Sequence, residues 1–521
     1  MTYLAVPISS PNPDQAADQI TAAVAAGAEM LELRADYLEN LSVGMVENMV
    51  ARIKSAFALP MPIIVTCRDK RQGGAISYPV QLRVDVLIGA LKTGAEFVDF
   101  EYENFLNTRN QERIRRALSL SSKGRLILSA HDFQGKFENI AELHRHILTV
   151  CPSAIPKLVY TANHINDCFE AFDLLQRTSG ERIVFCMGQA GLVSRILAKK
   201  LGSFVTFASI DKQTATAPGQ LTVRQLKDLY RYDSIDPDTQ LFGVIADPVG
   251  HSLSPAIHNA CFARMNMNRL YLPLLVQGGQ DRFGSFMRSA LLRKWLHFRG
   301  FSVTIPHKEN ALQFVRQSGG FIEPLAEKIG AVNTLIITTD GRLKAYNTDY
   351  AGALDAITAG MGISSADLAS LSVAVIGAGG VARAIVAGLT DARAKIRIYN
   401  RTVKKAQRLA KDFGCESAGL DELANLDARL IINCTSIGMH PNIDESPLPE
   451  SCLKKGMVVF DTVYNPAETL LLKQARQVGC RTISGLDMFV NQAAAQFKLF
   501  TGQNAAPELM RKTVVDCLMR Q

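Results

Sequence analysis

Residues 155–160, Ile155-Pro156-Lys157-Leu158-Val159-Tyr160, read as an apolar strand with a lysine set into it. A lysine in such a strand either snorkels to solvent or is held inside for chemistry, since burial disfavours the ammonium form and favours a nucleophilic amine. Working outward, comparable apolar runs recur at 3–8, 29–34, 62–67, 96–101, 125–130, 182–187 and 204–208. Amphipathic segments such as Ala16 to Ala26 and Ala141 to Val150 separate them. Strands alternating with helices eight times predict a (β/α)8 barrel, a TIM barrel, with a doubly wound sheet as the alternative. Glu32, Arg34, Arg68, His131 and Lys157 then fall in the C-terminal half of a strand or just after it, which is the catalytic rim of such a barrel. Singly, each has a plain reading as an ion pair, a loop histidine or a snorkelling lysine. Packing does not require all of them at the same ends of different strands. Together they suit a ketone that carries a carboxylate: the lysine forms an imine, the histidine moves a proton and arginine holds the acid.

The second half turns on Val373-Ala374-Val375-Ile376 followed by Gly377-Ala378-Gly379-Gly380 and a helix-like run from Ala382. Strand, glycine turn and helix in that order are the context a dinucleotide pyrophosphate requires, although Ala382 replaces the last glycine of the usual spacing. The next strand ends in Asn400-Arg401-Thr402-Val403-Lys404-Lys405, where an NAD site would place an acid. A basic cluster suits a 2′-phosphate, so the expected cofactor is NADP; a solvated charge run is the alternative. Residues 231–240 read as a polar linker, and Leu241 to Ala246 opens a second α/β region. Lys308, just past the run Val303-Thr304-Ile305-Pro306-His307, and Asp349 of Asn347-Thr348-Asp349 could act as proton donor and orienter in a carbonyl reduction.

At 521 residues, 47% hydrophobic and 20% charged, the chain has material for two to four domains with full cores. Its start has no basic segment before a long apolar run, and no window of about 18 apolar residues follows, so a soluble, cytoplasmic protein without a membrane partner is expected. Ten scattered cysteines without a Cys-x-x-Cys spacing point to reduced thiols and to no metal. The net charge of +8 is spread along the chain, which fits anionic small molecules rather than nucleic acid.

Over about 1–230 the chain resembles type I 3-dehydroquinate dehydratase. The matching motifs are Glu32-Leu33-Arg34-Ala35-Asp36, Thr66-Cys67-Arg68 with Gly73-Gly74, Ser129-Ala130-His131-Asp132-Phe133, Pro156-Lys157, Ser194-Arg195 and Ala217-Pro218-Gly219-Gln220. The resemblance implies Lys157 as Schiff-base residue, His131 as general base and acid, and Glu32, Arg34, Arg68, Arg195, Thr216 and Gln220 around the substrate. Gln72 stands where that family usually has a glutamate beside the histidine, and Thr216 where it has a serine. A neutral Gln72 should stabilise protonated His131 less.

Over about 241–521 the chain resembles shikimate dehydrogenase, through Ser252-Leu253-Ser254-Pro255, Val303 to Lys308, Gly330-Ala331-Val332-Asn333-Thr334, Asn347-Thr348-Asp349, the glycine turn, Asn400-Arg401-Thr402, Asn433 to Met439, Asp461 to Pro466 and Gln492-Ala493. It implies a catalytic Lys308–Asp349 pair and substrate contacts from Ser252, Ser254, Thr304, Asn333, Tyr464 and Gln492. It further implies an NADP site from Gly377, Ala378, Gly379, Gly380, Asn400, Arg401, Thr402, Lys405 and Gly485. Ser302, where asparagine is common, is expected to stand clear of the chemistry. The organisation expected is a barrel (1–230), a linker (231–240), a substrate domain (241–345, completed by 485–521) and a Rossmann NADP domain (346–484). The two resemblances together imply one polypeptide that dehydrates 3-dehydroquinate and then reduces 3-dehydroshikimate to shikimate with NADPH. A quinate dehydrogenase using NAD, or a metabolite-sensing regulator built from decayed enzyme domains, are the alternatives.

Overall fold

The computed structural model describes residues 1–56, 61–217, 219–250 and 252–519, so Pro218 of the glutamine motif lies outside the described residues. Two compact units change over between Thr239 and Gln240, with Leu274–Gln277 and Ser285–Leu292 grouping with the first.

In the first unit eight strands, β1 (Tyr3–Ile8), β2 (Met30–Arg34), β3 (Ile63–Thr66), β4 (Phe97–Glu101), β5 (Arg125–Asp132), β6 (Ile155–Thr161), β7 (Ile183–Met187) and β8 (Val205–Phe207), alternate with helices. Their order is β7-β6-β5-β4-β3-β2-β1-β8, a nearly closed parallel barrel in which the last strand returns to pair with the first. The period-two rule of a strand decides what fills it. One face carries Met30, Ile64, Phe97, Ile127, Ile155, Ile183 and Val205, and these pack together as an apolar layer. Two residues further along the same strands stand Glu32, Thr66, Asp99, Ser129 and Lys157, all buried. The polar layer is therefore carried on the apolar one.

The stretch read as a linker is a packed turn. Tyr232 is fully buried and its hydroxyl donates to the Thr2 carbonyl at 3.0 Å, while Ile235 is also buried. Two apolar residues three apart in a polar run are buried here, though they make no periodic pattern. Gln240 already belongs to the next strand.

The second unit has two sheets. The first holds β9 (Gln240–Ala246), β10 (Arg269–Leu275), β11 (Phe298–Val303), β12 (Phe321–Ile322), β13 (Thr334–Ile337) and β14 (Leu343–Tyr346), in the order β10-β9-β11-β13-β14-β12 with β13 antiparallel to both neighbours. The second holds β15 (Ser372–Ile376), β16 (Lys395–Tyr399), β17 (Glu416–Ala418), β18 (Leu430–Asn433), β19 (Val458–Asp461) and β20 (Arg481–Ile483). Its order, β17-β16-β15-β18-β19-β20, is all parallel and reverses direction at β15 and β18, as in a doubly wound nucleotide fold. Val373 and Val375 of β15 enter the core on one face, and Ala374 and Ile376 the core on the other. The helix Gly485–Thr501 returns to the first sheet, where Phe500 lies 5.0 Å from Phe242. Among the described residues, no helix is long and apolar enough to cross a membrane.

Candidate active sites

The barrel mouth gathers Glu32, Arg34, Arg68, His131, Lys157, Arg195, Thr216 and Gln220 around one cavity, with Gln72, Phe185 and Phe207 in its walls. Lys157 is buried, and its Nζ lies 2.7 Å from Asp99 Oδ2, 3.5 Å from Glu32 Oε1 and 4.5 Å above the Phe207 ring. Desolvation is thus only part of its setting, because a carboxylate faces the amine. Burial works against a charged Asp99, yet the Arg68 guanidinium and Lys157 hold its carboxyl well below the usual range.

His131 is governed by burial first and by the cations Arg68 and Lys157 next, and together they push it well below the ordinary histidine value. The Gln72 Oε1 atom stands 3.1 Å from its Nδ1. An amide oxygen only accepts, so Nδ1 carries the hydrogen and Nε2 keeps the lone pair a base needs.

Two of the arginines expected to hold substrate are committed within the protein. Arg34 makes a two-pronged pair with buried Asp36 at 2.9 and 2.8 Å, and Arg68 bonds Asp99 at 2.8 Å, Glu101 at 3.1 Å and the Ser129 hydroxyl at 2.6 Å. Arg195 differs. It is 1% exposed, stacks 4.4 Å over Phe185, and its Nε and Nη2 have no hydrogen-bond partner among the described residues; burial brings it down to about 10. An unpartnered buried guanidinium is costly and fits a ligand carboxylate. Thr216 and Gln220 bond each other, the Thr216 N–H donating to Gln220 Oε1 at 2.8 Å. Asp36 and Ser129 stand in the quoted motifs without a role assigned to them, and Asp99 and Glu101 were not singled out from the sequence; acids at alternate positions of Phe97-Val98-Asp99-Phe100-Glu101 were the available signal.

In the second unit another cavity is lined by Ser252, Ser254, Thr304, Lys308, Asn333, Asp349, Tyr464, Gly485 and Gln492. Lys308 opens the helix Lys308–Gln317 and Asp349 sits in the first turn of Thr348–Met361, which puts Nζ 2.5 Å from Asp349 Oδ2. Asn333 Nδ2 donates to the other carboxylate oxygen at 2.9 Å, and Asn347 caps the helix by accepting from the Asp349 N–H. Ser302 does not stand clear: it lines the cavity, accepts from the Tyr271 hydroxyl at 2.6 Å and donates to Gln496 Oε1 at 2.7 Å. Gln496, also missed from the sequence, donates in turn to Thr334 Oγ1 at 3.1 Å. His251 of the neighbouring loop lies outside the described residues.

The glycine turn fits a dinucleotide. Gly377 has φ +112°, and a Cβ there would meet the Cys434 carbonyl at 3.1 Å, so the tight turn needs glycine. A Cβ at Gly379 or Gly380 would meet nothing within 4 Å, and no side chain caps the helix Gly380–Asp391, leaving its N–H groups open to an anion. Asn400 Nδ2 donates to the Thr402 carbonyl at 3.0 Å, shaping the turn before the helix Val403–Phe413. Exposed Arg401, Lys404 and Lys405 surround that helix start, where cations oppose the helix dipole and an anion would resolve the conflict. Gly485 has a packing reason as well, since a Cβ would lie 2.4 Å from the Val463 carbonyl.

Comparison with known proteins covers both units. Residues 4–237 match the model of type I 3-dehydroquinase, 244–335 the shikimate dehydrogenase substrate binding domain, 361–464 shikimate / quinate 5-dehydrogenase and 485–515 the shikimate 5'-dehydrogenase C-terminal domain. The chain is 36% identical to the chloroplastic bifunctional 3-dehydroquinate dehydratase/shikimate dehydrogenase of Arabidopsis thaliana over 98% of its own length and 83% of that protein. It is 42% identical to the NADP(+) shikimate dehydrogenase of Methanosarcina acetivorans, over 54% of this chain and 99% of that one. A crystal structure of shikimate 5-dehydrogenase from Thermus thermophilus with NADP(H) and shikimate is similar over 53% of this chain and 99% of that one, at 32% identity and a TM-score of 0.47.

Proposed function

The chain belongs to the family of bifunctional 3-dehydroquinate dehydratase/shikimate dehydrogenases, and from that premise we propose that its barrel dehydrates 3-dehydroquinate and its second unit reduces the product to shikimate with NADPH. The observation that carries the reading is that each cavity holds an amine and a proton-handling partner of its own, drawn from one unit alone. We assign the first activity to 1–230 and the second to 241–521, with 241–345 and 485–521 around the substrate and 346–484 around the cofactor.

In the barrel the Arg195 guanidinium takes the substrate carboxylate. Lys157 Nζ, as the free amine, adds to the ketone, and loss of water leaves an iminium that acidifies the neighbouring C–H. His131 Nε2 removes that proton and returns it to the departing hydroxyl, so that water leaves and a double bond forms. Hydrolysis of the imine then frees the ketone product and Lys157. In the second unit NADPH, when bound, supplies a hydride to the carbonyl carbon. Lys308 delivers the proton to the carbonyl oxygen; Asp349, held by Asn333, keeps the Lys308 side chain aimed. Glycines 377, 379 and 380 and the basic residues at Arg401 and Lys405 hold the pyrophosphate and the 2′-phosphate, which favours NADP over NAD.

Retention of Lys157, His131, Lys308 and Asp349 speaks against a decayed, purely sensing protein. Ten free cysteines suit a reducing compartment, and we assign the protein to the cytoplasm, although the Arabidopsis relative is named as chloroplastic. The test is the purified chain with 3-dehydroquinate and NADPH, following enone absorbance and NADPH loss, with quinate and NAD as competitors. Enone formation without NADPH consumption overturns the second activity, and preference for quinate with NAD overturns the substrate assignment.

A further inference from the structure

One side chain of the second unit, Arg383, joins the glycine turn to the catalytic pair. It stands in the first turn of the helix Gly380–Asp391, whose open N-terminus fits the pyrophosphate. Its guanidinium reaches the carboxyl end of the helix Pro324–Ile329, where Nε donates to the Ile329 carbonyl and Nη2 lies 3.5 Å from that of Lys328. Nη1 donates to Asp412 Oδ2 at 2.6 Å, and the group rests 5.1 Å from the Phe413 ring centre. A cation suits the negative end of a helix. Buried Ile329, Ala384 and Ala387 close the contact beneath it.

From Ile329 the chain runs straight into the chemistry. Gly330, at φ +79°, ends the helix, and the Ala331 carbonyl then accepts from Asn347 Nδ2 at 3.0 Å. The Val332 N–H donates to the Lys308 carbonyl at 3.1 Å, and Asn333 Nδ2 donates to Asp349. Residues 330–333 thus touch Lys308, Asn347 and Asp349, and Arg383 ties the start of this loop to the cofactor helix.

Resting on the dehydrogenase reading above, we propose that Arg383 is a positioning residue that couples the two ligands of this unit. A dinucleotide on the glycine turn fixes the helix start; the guanidinium carries that order into 330–333; the substrate is then held more tightly. By linkage the substrate tightens the dinucleotide by the same factor. Arg383 itself touches neither the reacting atoms nor Lys308 and Asp349.

The experiment is calorimetric titration of the full chain with shikimate, alone and with saturating NADPH, a pair that cannot react because both are reduced. The wild type should bind shikimate about fivefold or more tightly when NADPH is present. In Arg383→Met that ratio should fall close to one while the affinity for each ligand alone changes by less than about twofold, and Arg383→Lys, which can reach the carbonyls, should restore part of it. Asp412→Asn, which keeps the arginine, should lower the ratio partway and serves where the methionine variant does not fold. A ratio of one in the wild type, or an undiminished ratio in Arg383→Met, overturns the proposal, as does an equal loss in every complex. A wild type that binds neither ligand overturns the dehydrogenase reading and this proposal with it.

Discussion

Single residues decide which proton sits where. Lys157 faces Asp99 at 2.7 Å, and among the described residues no other lysine lines that cavity. Lys157→Ala should therefore abolish borohydride trapping of a dehydroquinate adduct and all dehydration, while NADPH-dependent reduction of dehydroshikimate stays within about twofold. Mass spectrometry that finds an adduct on another lysine refutes the assignment. Gln72 offers a finer test. His131 is held low by burial, Arg68 and Lys157, and a carboxylate at the 3.1 Å contact would favour its protonated form. Gln72→Glu should thus raise the histidine value and move the acidic limb of the dehydratase profile to higher pH. A limb that does not move means that residue 72 fails to govern the histidine in solution. His258 gives a matching stability test, for burial against Tyr271, 4.4 Å away, lowers it to about 3. The unfolded chain takes up that proton near pH 6.5 and the folded one does not, so stability is lost as pH falls from about 6.5 toward 3. Between pH 7 and 5 the wild type should lose about 2 kcal/mol more than His258→Phe, read from thermal unfolding.

At the scale of elements the helix Val403–Phe413 begins against its own dipole, with Arg401, Lys404 and Lys405 about its first turn. Each charge-assisted bond to a phosphate contributes about 1.5–3 kcal/mol. Arg401→Ala should weaken NADP by about tenfold or more and leave NAD nearly unchanged; equal losses for both would remove the 2′-phosphate assignment. Elements were also what the sequence displayed best. The barrel strands and the β15 turn follow from alternation and glycine placement, which are local. Asp99, Ser302 and Gln496 were not legible as site residues, since each becomes one only through neighbours on other elements: Asp99 through Lys157, and Ser302 through Tyr271 and Gln496. The packing of Tyr232 within the 231–240 stretch was hidden for a like reason, its partner being Thr2.

On the scale of the whole chain, two cavities with separate catalytic groups share one polypeptide. Tethering raises the effective concentration only of a ligand that stays attached, and dehydroshikimate is released. An equimolar mixture of Lys157→Ala and Lys308→Ala full-length chains should therefore show the same lag before shikimate forms as wild type at matched concentrations of each working site. A much shorter lag in the wild type would establish direct transfer. The pairing of Tyr3 with Val205, and the bond from Tyr232 to Thr2, bear on a different process. A ribosome adding about 5–20 residues per second takes roughly 10–40 s to make the chain between the first strand and its last partner. Through that interval the edge of β1 that later meets β8 has no partner, and an unpaired strand edge of this kind favours aggregation of the newborn barrel.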